Sequence, residues 1–378
     1  MELTHRERVK LALNHEEPDR VPLDLCGGTT NMVDPVYFKV KEKLGIKEDI
    51  KPYRSGKTCT YYDERVLEAL DIDFRHIRLS SPKSFTKKTL SDGSFYTEWG
   101  AIVRKEGNFV EPVEPTIKEA TVEAVEKHSW PNTEDKTRME GVVERAKHLY
   151  ENTDYAISTK FIGGGFLDYG GNLRGFENFM MDMAMNEDFV NAFMDKILEV
   201  KTKLYEMMLK EIGDYVQMVE LAEDFGTQNS LFISPDMFRK YIKPRYTKLI
   251  GRIKEIAPET KVFFHTCGAI RPIIGDLEEA GVDVLNPLQP LAKGIEPGEI
   301  KEEYGSKLAF HGAIDIQESL PGDVEEVKEE VATRVKQLAK GGGYILAPTN
   351  HIQSDTPAEN VVALFEYARK VGKYPIDL

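Results

Sequence analysis

Eight short runs of β-forming residues, separated by stretches with helical periodicity, limit what this chain can fold into more than any other feature. The runs are Val21-Pro22-Leu23-Asp24-Leu25, then Phe74–Leu79, Tyr155–Phe161, Val216–Leu221, Val262–His265, Val282–Leu285, Leu308–Gly312 and Tyr344–Ala347. Each ends in small or polar residues, and the helical stretch after it is the crossover that parallel strands require. Eight such units predict an α/β fold of the (β/α)8 TIM-barrel class. A doubly wound open sheet competes, but its nucleotide-binding versions carry Gly-x-Gly-x-x-Gly after the first strand, and Cys26-Gly27-Gly28-Thr29 is not that turn. One closed barrel with insertions accommodates all 378 residues, 1–378, as a single domain.

Local signals mark the element ends. Thr4-His5-Arg6-Glu7 has the form of a capping box and predicts a helix over Arg6–Leu13. Asp34-Pro35 reads as an N-cap with a first-turn proline, and Gly45 as a left-handed C′ residue. Ser94–Val110 alternates aromatic and polar residues between glycines, which predicts a small β-hairpin insertion after the second strand. Glu111–Pro131 reads as a long surface connection.

Charge and composition narrow the function. With 50 Lys and Arg against 64 Asp and Glu, the net charge of -14 repels phosphate backbones and anionic membranes, so neither nucleic acid nor a membrane is an expected partner. The N-terminus has no apolar signal core, and no run approaches the roughly 18 apolar residues of a membrane span. Three scattered cysteines, Cys26, Cys59 and Cys267, form no disulfide framework. Together these features predict a cytoplasmic protein.

In a (β/α)8 barrel the active site lies where strands end, and the residues there are polar. The fourth strand leads to Glu223, Asp224 and Gln228, the fifth to His265 and Cys267, and the sixth to Asn286 and Gln289. The seventh leads to His311, Asp315 and Gln317, and the eighth to Asn350, His351 and Gln353. His265-Thr266-Cys267 stands out, because imidazole and thiolate two residues apart at a strand end can face one ion and form a zinc-preferring pair. A catalytic zinc takes about three protein ligands; His351 is the expected third, with Glu223 behind it. The plainer alternative is a half-buried thiol beside a hydrogen-bonded histidine.

Glu223 and Asp224 are the expected catalytic carboxylates, suited to acid/base transfer, metal binding or substrate positioning. Gln228, Asn286, Gln289, Asp315 and Asn350 are expected to contact substrate. Gly163-Gly164-Gly165 and Gly341-Gly342-Gly343 lack the Lys-Ser/Thr of a phosphate loop, and the second is expected to end a helix. Met180, Met181, Met183 and Met185 are read as core filler rather than a pocket wall.

Four segments carry a resemblance: Arg8-Val9-Lys10-Leu11-Ala12-Leu13-Asn14-His15-Glu16-Glu17-Pro18-Asp19-Arg20-Val21-Pro22, Ile233-Ser234-Pro235, His311-Gly312-Ala313-Ile314-Asp315 and Asp355-Thr356-Pro357-Ala358-Glu359-Asn360. In these, nearly end to end, the chain resembles the uroporphyrinogen decarboxylase superfamily, which independently implies a (β/α)8 barrel. The decarboxylases of that family hold propionates with an Arg-Gln-Ala-Gly-Arg loop after the first strand and use an aspartate after the second. Here those places read Cys26-Gly27-Gly28-Thr29-Thr30-Asn31 and Arg78-Leu79-Ser80-Ser81-Pro82.

The resemblance is closer to the corrinoid-dependent methyltransferase branch, whose zinc-thiol members carry a His-x-Cys pair after the fifth strand, matched by His265 and Cys267. Their third ligand, a cysteine after the eighth strand, is replaced by Ala347-Pro348-Thr349-Asn350-His351. The resemblance implies a zinc-dependent methyltransferase that moves methyl between a small methylated substrate or thiol and a corrinoid. No Asp-x-His-x-x-Gly corrinoid motif is present, so the corrinoid is expected on a separate partner protein. A decarboxylase of another carboxylated substrate is the alternative activity, and a binding protein without turnover a third. A homodimer is usual among the members it resembles, and composition does not display one.

Overall fold

The computed structural model describes residues 3–54, 58–107 and 109–378; residues 1–2, 55–57 and 108 lie outside them. The seven barrel strands other than the first are β1 (Phe74–Ile77), β5 (Ala156–Thr159), β6 (Met218–Ala222), β7 (Lys261–His265), β8 (Val284–Asn286), β9 (Ala309–Ile314) and β10 (Tyr344–Pro348). They form one parallel sheet in the order β1-β5-β6-β7-β8-β9-β10. Each begins and ends within two residues of its expected position.

The first run closes the ring without being a regular strand. Leu346 N–H donates to Pro22 O (2.9 Å), Asp24 N–H to Leu346 O (3.0 Å) and Asp73 N–H to Leu23 O (3.0 Å), so residues 21–25 bridge β10 and β1. Pro22 has no N–H for the ladder, and Cys26 turns away at a φ of 69°, which explains the irregularity. The fold is therefore the expected (β/α)8 barrel.

Side chains two residues apart along a strand point to the same side, and here that alternation builds two layers inside the barrel. The lower layer is apolar: Phe74, Ala156, Met218, Phe263, Val284, Ala309 and Ile345, covered from below by Val9 and Leu13 of the first helix. Two residues further along the same strands stand His76, Ser158, Glu220, His265, Asn286, His311 and Ala347, all buried. The barrel is thus greasy at its base and polar toward its mouth.

The helix His5–Leu13 has the expected capping box, with both Thr4–Glu7 hydrogen bonds formed. It is latched under the barrel by buried Asp73, which accepts from Arg8 (2.7 Å), from Arg20 (2.7 Å) and from the backbone N–H of Leu23 (2.7 Å), with His5 Nδ1 also at 2.7 Å. Burial alone raises a carboxyl pKa; His5, Arg20 and Arg8 outweigh it and hold Asp73 below the ordinary value.

Four expectations change. Asp34 is not an N-cap: Val33 holds that position, and the Asp34 carboxylate accepts from Thr60 N–H (2.6 Å) and Oγ1–H (2.8 Å). The insertion is a three-stranded antiparallel sheet, β2 (Phe95–Tyr96), β3 (Ile102–Glu106) and β4 (Phe109–Glu114), rather than a hairpin. Its third strand takes the first residues of the expected surface connection. Among the four methionines only Met183 is fully buried, while Met181 and Met185 are exposed.

The glycine triplet before β10 does follow a helix, Val324–Leu338, and also seats the loop on the first helix. Gly343 N–H donates to Ala12 O (3.0 Å), and Gly342 has a φ of 73° with any Cβ placed 2.3 Å from Glu16 O. Left-handed backbone and a backbone clash combine at that position, so Gly342→Ala is expected to cost about 2 kcal/mol in denaturant unfolding. A cost indistinguishable from zero contradicts this account of the loop.

Candidate active site

At the mouth, β6 and β7 are neighbours with Ala222 opposite His265, which brings the residues after β6 beside those after β7. Asp224, His265 and Cys267 meet there, with one potential ligand atom from each within 4.8 Å of the others. Cys267 Sγ lies 3.3 Å from His265 Nε2, and Asp224 Oδ1 lies 3.5 Å from the same nitrogen. Asp224 Oδ1 also accepts from Cys267 N–H (2.9 Å), and Asn350 Nδ2–H donates to Cys267 Sγ (3.3 Å). Burial, and then the Asp224 carboxylate, push the Cys267 thiol well above its usual pKa. A soft sulfur, an imidazole nitrogen and a carboxylate oxygen gathered this way fit a zinc ion, whose charge relieves that upward pressure.

A buried chain of hydrogen bonds runs from this cluster across the polar layer. His265 Nδ1–H donates to Asn286 Oδ1 (2.5 Å), and Asn286 Nδ2–H donates to His311 Nδ1 (2.9 Å). His311 Nε2–H then donates to Asp24 Oδ2 (2.8 Å), while His76 Nε2–H donates to Asp24 Oδ1 (2.8 Å) from the other side. His76 Nδ1 faces Glu220 Oε1 at 3.2 Å, and Glu220 Oε2 accepts from Gly28 N–H (2.9 Å) in the first loop. Only one set of tautomers satisfies this wiring, and it leaves the His265 Nε2 lone pair turned toward Cys267.

Burial opposes the charged forms of Asp24 and His76, yet each is the other's counter-ion. Asp24 is held below the ordinary carboxylate range by His76 and His311, and His76 is raised to about 9 by Asp24 and Glu220. No side chain replaces Gly28 in this loop: a Cβ there lies 2.3 Å from Glu220 Oε2 and 2.5 Å from the Phe161 ring.

The expected site residues separate. His265, Cys267 and Asp224 come together; His351 does not join them, its Nδ1 accepting from Asn31 N–H (3.1 Å) instead. Glu223 is 1% exposed and lies beneath the mouth, accepting from Leu167 N–H through Oε1 and bonded to Tyr246 Oη through Oε2 (2.8 Å). It pins the loop before the helix Phe166–Tyr169. Of the expected substrate contacts, Asn350 touches the thiol and Asn286 holds His265 from behind.

The other three expected contacts hold backbone or rim. Gln289 Oε1 accepts from Gly268 N–H (2.6 Å), and Gln228 donates to Gln317 (2.8 Å). Asp315 accepts from the N–H groups of Gln317, Glu318 and Ser319 (2.9 Å each), which makes it a turn cap. Sequence reading missed Asp24, His76 and Glu220; its available signal was a charged or imidazole side chain at the centre of an apolar strand run.

A cavity of about 1010 Å³ opens beside Asp224, between the barrel mouth and the inserted sheet. Asp224 and Asp168 stand in its wall with Trp99, Phe161, Phe176 and Phe232. Trp99 stacks on Tyr169 (4.1 Å between ring centres), and Phe176 meets Phe232 edge-on (5.6 Å).

Fold and site together define a parallel (β/α)8 barrel with a sulfur, nitrogen and oxygen ligand cluster at its mouth, whose Asp224 lines an aromatic cavity. The chain belongs to the family described as Uroporphyrinogen decarboxylase (URO-D), whose model matches residues 106–371. Among curated relatives it is similar to the methylcobamide:CoM methyltransferase MtaA of Methanosarcina barkeri, 24% identical over 232 residues, 61% of this chain and 63% of that one. It is also similar to the uroporphyrinogen decarboxylase of Synechocystis sp., 25% identical over 192 residues, 50% of this chain and 51% of that one. The chain thus spans less than two thirds of the length of these relatives. A solved structure of a methyltransferase from Methanosarcina mazei superimposes with a TM-score of 0.65 at 19% identity, covering 98% of this chain and 99% of that one. Among the described residues no helix is long and apolar enough to cross a membrane.

Proposed function

We propose that this chain is a zinc-dependent methyltransferase that moves a methyl group between a small methylated substrate or thiol and a corrinoid carried by a separate protein. The observation that carries this reading is the meeting of His265, Cys267 and Asp224, the last of which lines the aromatic cavity. Zinc bound there supplies Lewis acidity, lowering the pKa of a ligated thiol or polarising the atom that bears the methyl group. Asn286 fixes the ligating tautomer of His265, and Asn350 donates to the sulfur of Cys267. Trp99, Phe161, Phe176 and Phe232 give the cavity an apolar wall for the body of a substrate. Asp224, rather than His351, is the proposed third ligand.

Decarboxylation of a polycarboxylate finds less support in this cavity. Among the described residues, apart from Arg54, the charged residues lining it are acidic: Glu111, Glu114, Asp168 and Asp224.

Elemental mass spectrometry of anaerobically purified protein tests the proposal. Wild type is expected to hold near one zinc per chain, with affinity reduced at least about tenfold in His265→Ala, Cys267→Ser and Asp224→Ala and retained in His351→Ala. Methyl transfer to cob(I)alamin should follow metal content across the series. Wild type that neither holds metal nor transfers methyl overturns the reading, and carbon dioxide release from a carboxylate panel then becomes the assay to follow.

A further inference from the structure

The cavity wall carries negative charge that the metal-ligand cluster does not use. Among the described residues, its carboxylates Glu111, Asp168 and Asp224 form no ion pair with a Lys or Arg, and Arg54 is the single cation in the wall. Asp168 Oδ2 accepts from Gly165 N–H (2.9 Å), and Asp168 joins no group of three residues able to hold a metal ion among those described. Burial raises the Asp168 carboxyl pKa and the Asp224 carboxylate adds to the rise, against the Gly165 N–H, Lys201 and His265. A positive charge in the cavity relieves that repulsion.

Charge spread around an apolar volume selects a different cation from charge focused at a point. A bare metal ion takes several ligand atoms at one centre, and among the described residues only the Asp224 cluster gathers them. An organic ammonium group is held instead by aromatic rings around its alkyl carbons, with a carboxylate to balance its charge. This cavity has both, the rings of its aromatic wall and Asp168 among them. One donor in the same wall is also unused. Trp99 is 8% exposed and stacks on Tyr169, yet its indole N–H gives no hydrogen bond among the described residues. Its Nε1 lies against Gly163, another wall residue, where an added Cβ would stand 3.1 Å away. A buried indole N–H ordinarily finds an acceptor, and on the cavity side a ligand oxygen supplies one.

We propose that the cavity receives an organic cation, a methylated ammonium group whose charge is balanced by Asp168 and whose neighbouring oxygen accepts from the Trp99 indole N–H. Asp224 is the proposed metal ligand, which leaves Asp168 as the counter-charge for such a group. This rests on reading the cavity as the site of the small methylated substrate, and it does not depend on the metal.

Calorimetric titration of the full chain with choline, tetramethylammonium and dimethylbutanol, the last carrying carbon in place of choline's charged nitrogen, tests it, with metal content measured on the same samples. Choline is expected to bind at least about tenfold tighter than dimethylbutanol and about threefold tighter than tetramethylammonium. Asp168→Asn keeps an acceptor for Gly165 N–H, so it should remove most of the first advantage while leaving dimethylbutanol binding and metal content unchanged. Trp99→Phe should bring choline and tetramethylammonium together. Equal affinity for choline and dimethylbutanol, no binding of either, a choline preference untouched by Asp168→Asn, or an advantage over tetramethylammonium that survives Trp99→Phe overturns the inference. A wild type that prefers choline but neither holds metal nor transfers methyl sinks the methyl-transfer reading and leaves the cation site standing.

Discussion

Asp24→Ala is expected to destabilise the protein by about 3–5 kcal/mol, because it strips the carboxylate from between two buried imidazoles, one of them charged. His76 and His311 are both buried and both give a 2.8 Å hydrogen bond to Asp24, so neither has another acceptor to turn to on that side. Asn at this position should not rescue. An amide offers one acceptor and one donor, so one histidine has to present a lone pair; for His311 that turns an Nδ1–H against the Asn286 amide. The same disturbance reaches His265 through Asn286, and zinc affinity should fall about 10–100-fold. Guanidinium unfolding and metal titration check the two effects, and a loss below about 1 kcal/mol means the relay is not structurally coupled.

The pH dependence of this contribution has two edges. Asp24 is depressed from 3.8, so its contribution is present above that value and fades as pH falls through the lower folded-state pKa. His76 is raised from 6.5 to about 9, so its contribution is complete below 6.5 and lost as pH rises through 9.

Glu223→Gln is expected to act in the opposite sense and stabilise the protein at alkaline pH. Burial, then the neighbouring Asp168 carboxylate, raise Glu223 from 4.5 to about 8, against the smaller downward pull of the Leu167 N–H and Tyr246. The folded state therefore holds a proton that the unfolded chain releases, and wild-type stability from this group falls as pH rises from 4.5 to 8. Gln imitates the protonated acid, with an oxygen for Leu167 N–H and an N–H for Tyr246 Oη. The difference between variant and wild type should be small at pH 5 and grow to roughly 3–5 kcal/mol by pH 9. Parallel stability curves would show that Glu223 is ionised throughout and that its place beneath the mouth is not as isolated as its burial implies.

The barrel was legible because its cause is local. Eight strand runs carry apolar residues at the alternation a closed parallel sheet requires, and caps such as Thr4-x-x-Glu7 act within one turn of chain. His265 and Cys267 were legible for a similar reason, since two residues at one strand end share a direction whatever surrounds them. The irregular first strand was only partly so, because the proline within it is visible but its hydrogen bonds to Leu346 are not.

The rest depended on which strands are neighbours. Glu223 and Asp224 are adjacent in sequence and equally acidic, yet β6 turns one beneath the mouth toward Tyr246 and the other into the cavity beside Cys267. His351 follows Asn350 in sequence, yet Asn350 donates to the sulfur while His351 Nδ1 accepts from the N–H of Asn31. Asp24 and His311 stand 287 positions apart and meet only because the ring closes. The sequence by itself determined the barrel, its polar mouth and the imidazole–thiol pair, since these follow from periodicity and spacing along one strand. Tertiary structure alone decided the third ligand candidate and the buried relay, since each is a contact between strands whose pairing no local pattern encodes.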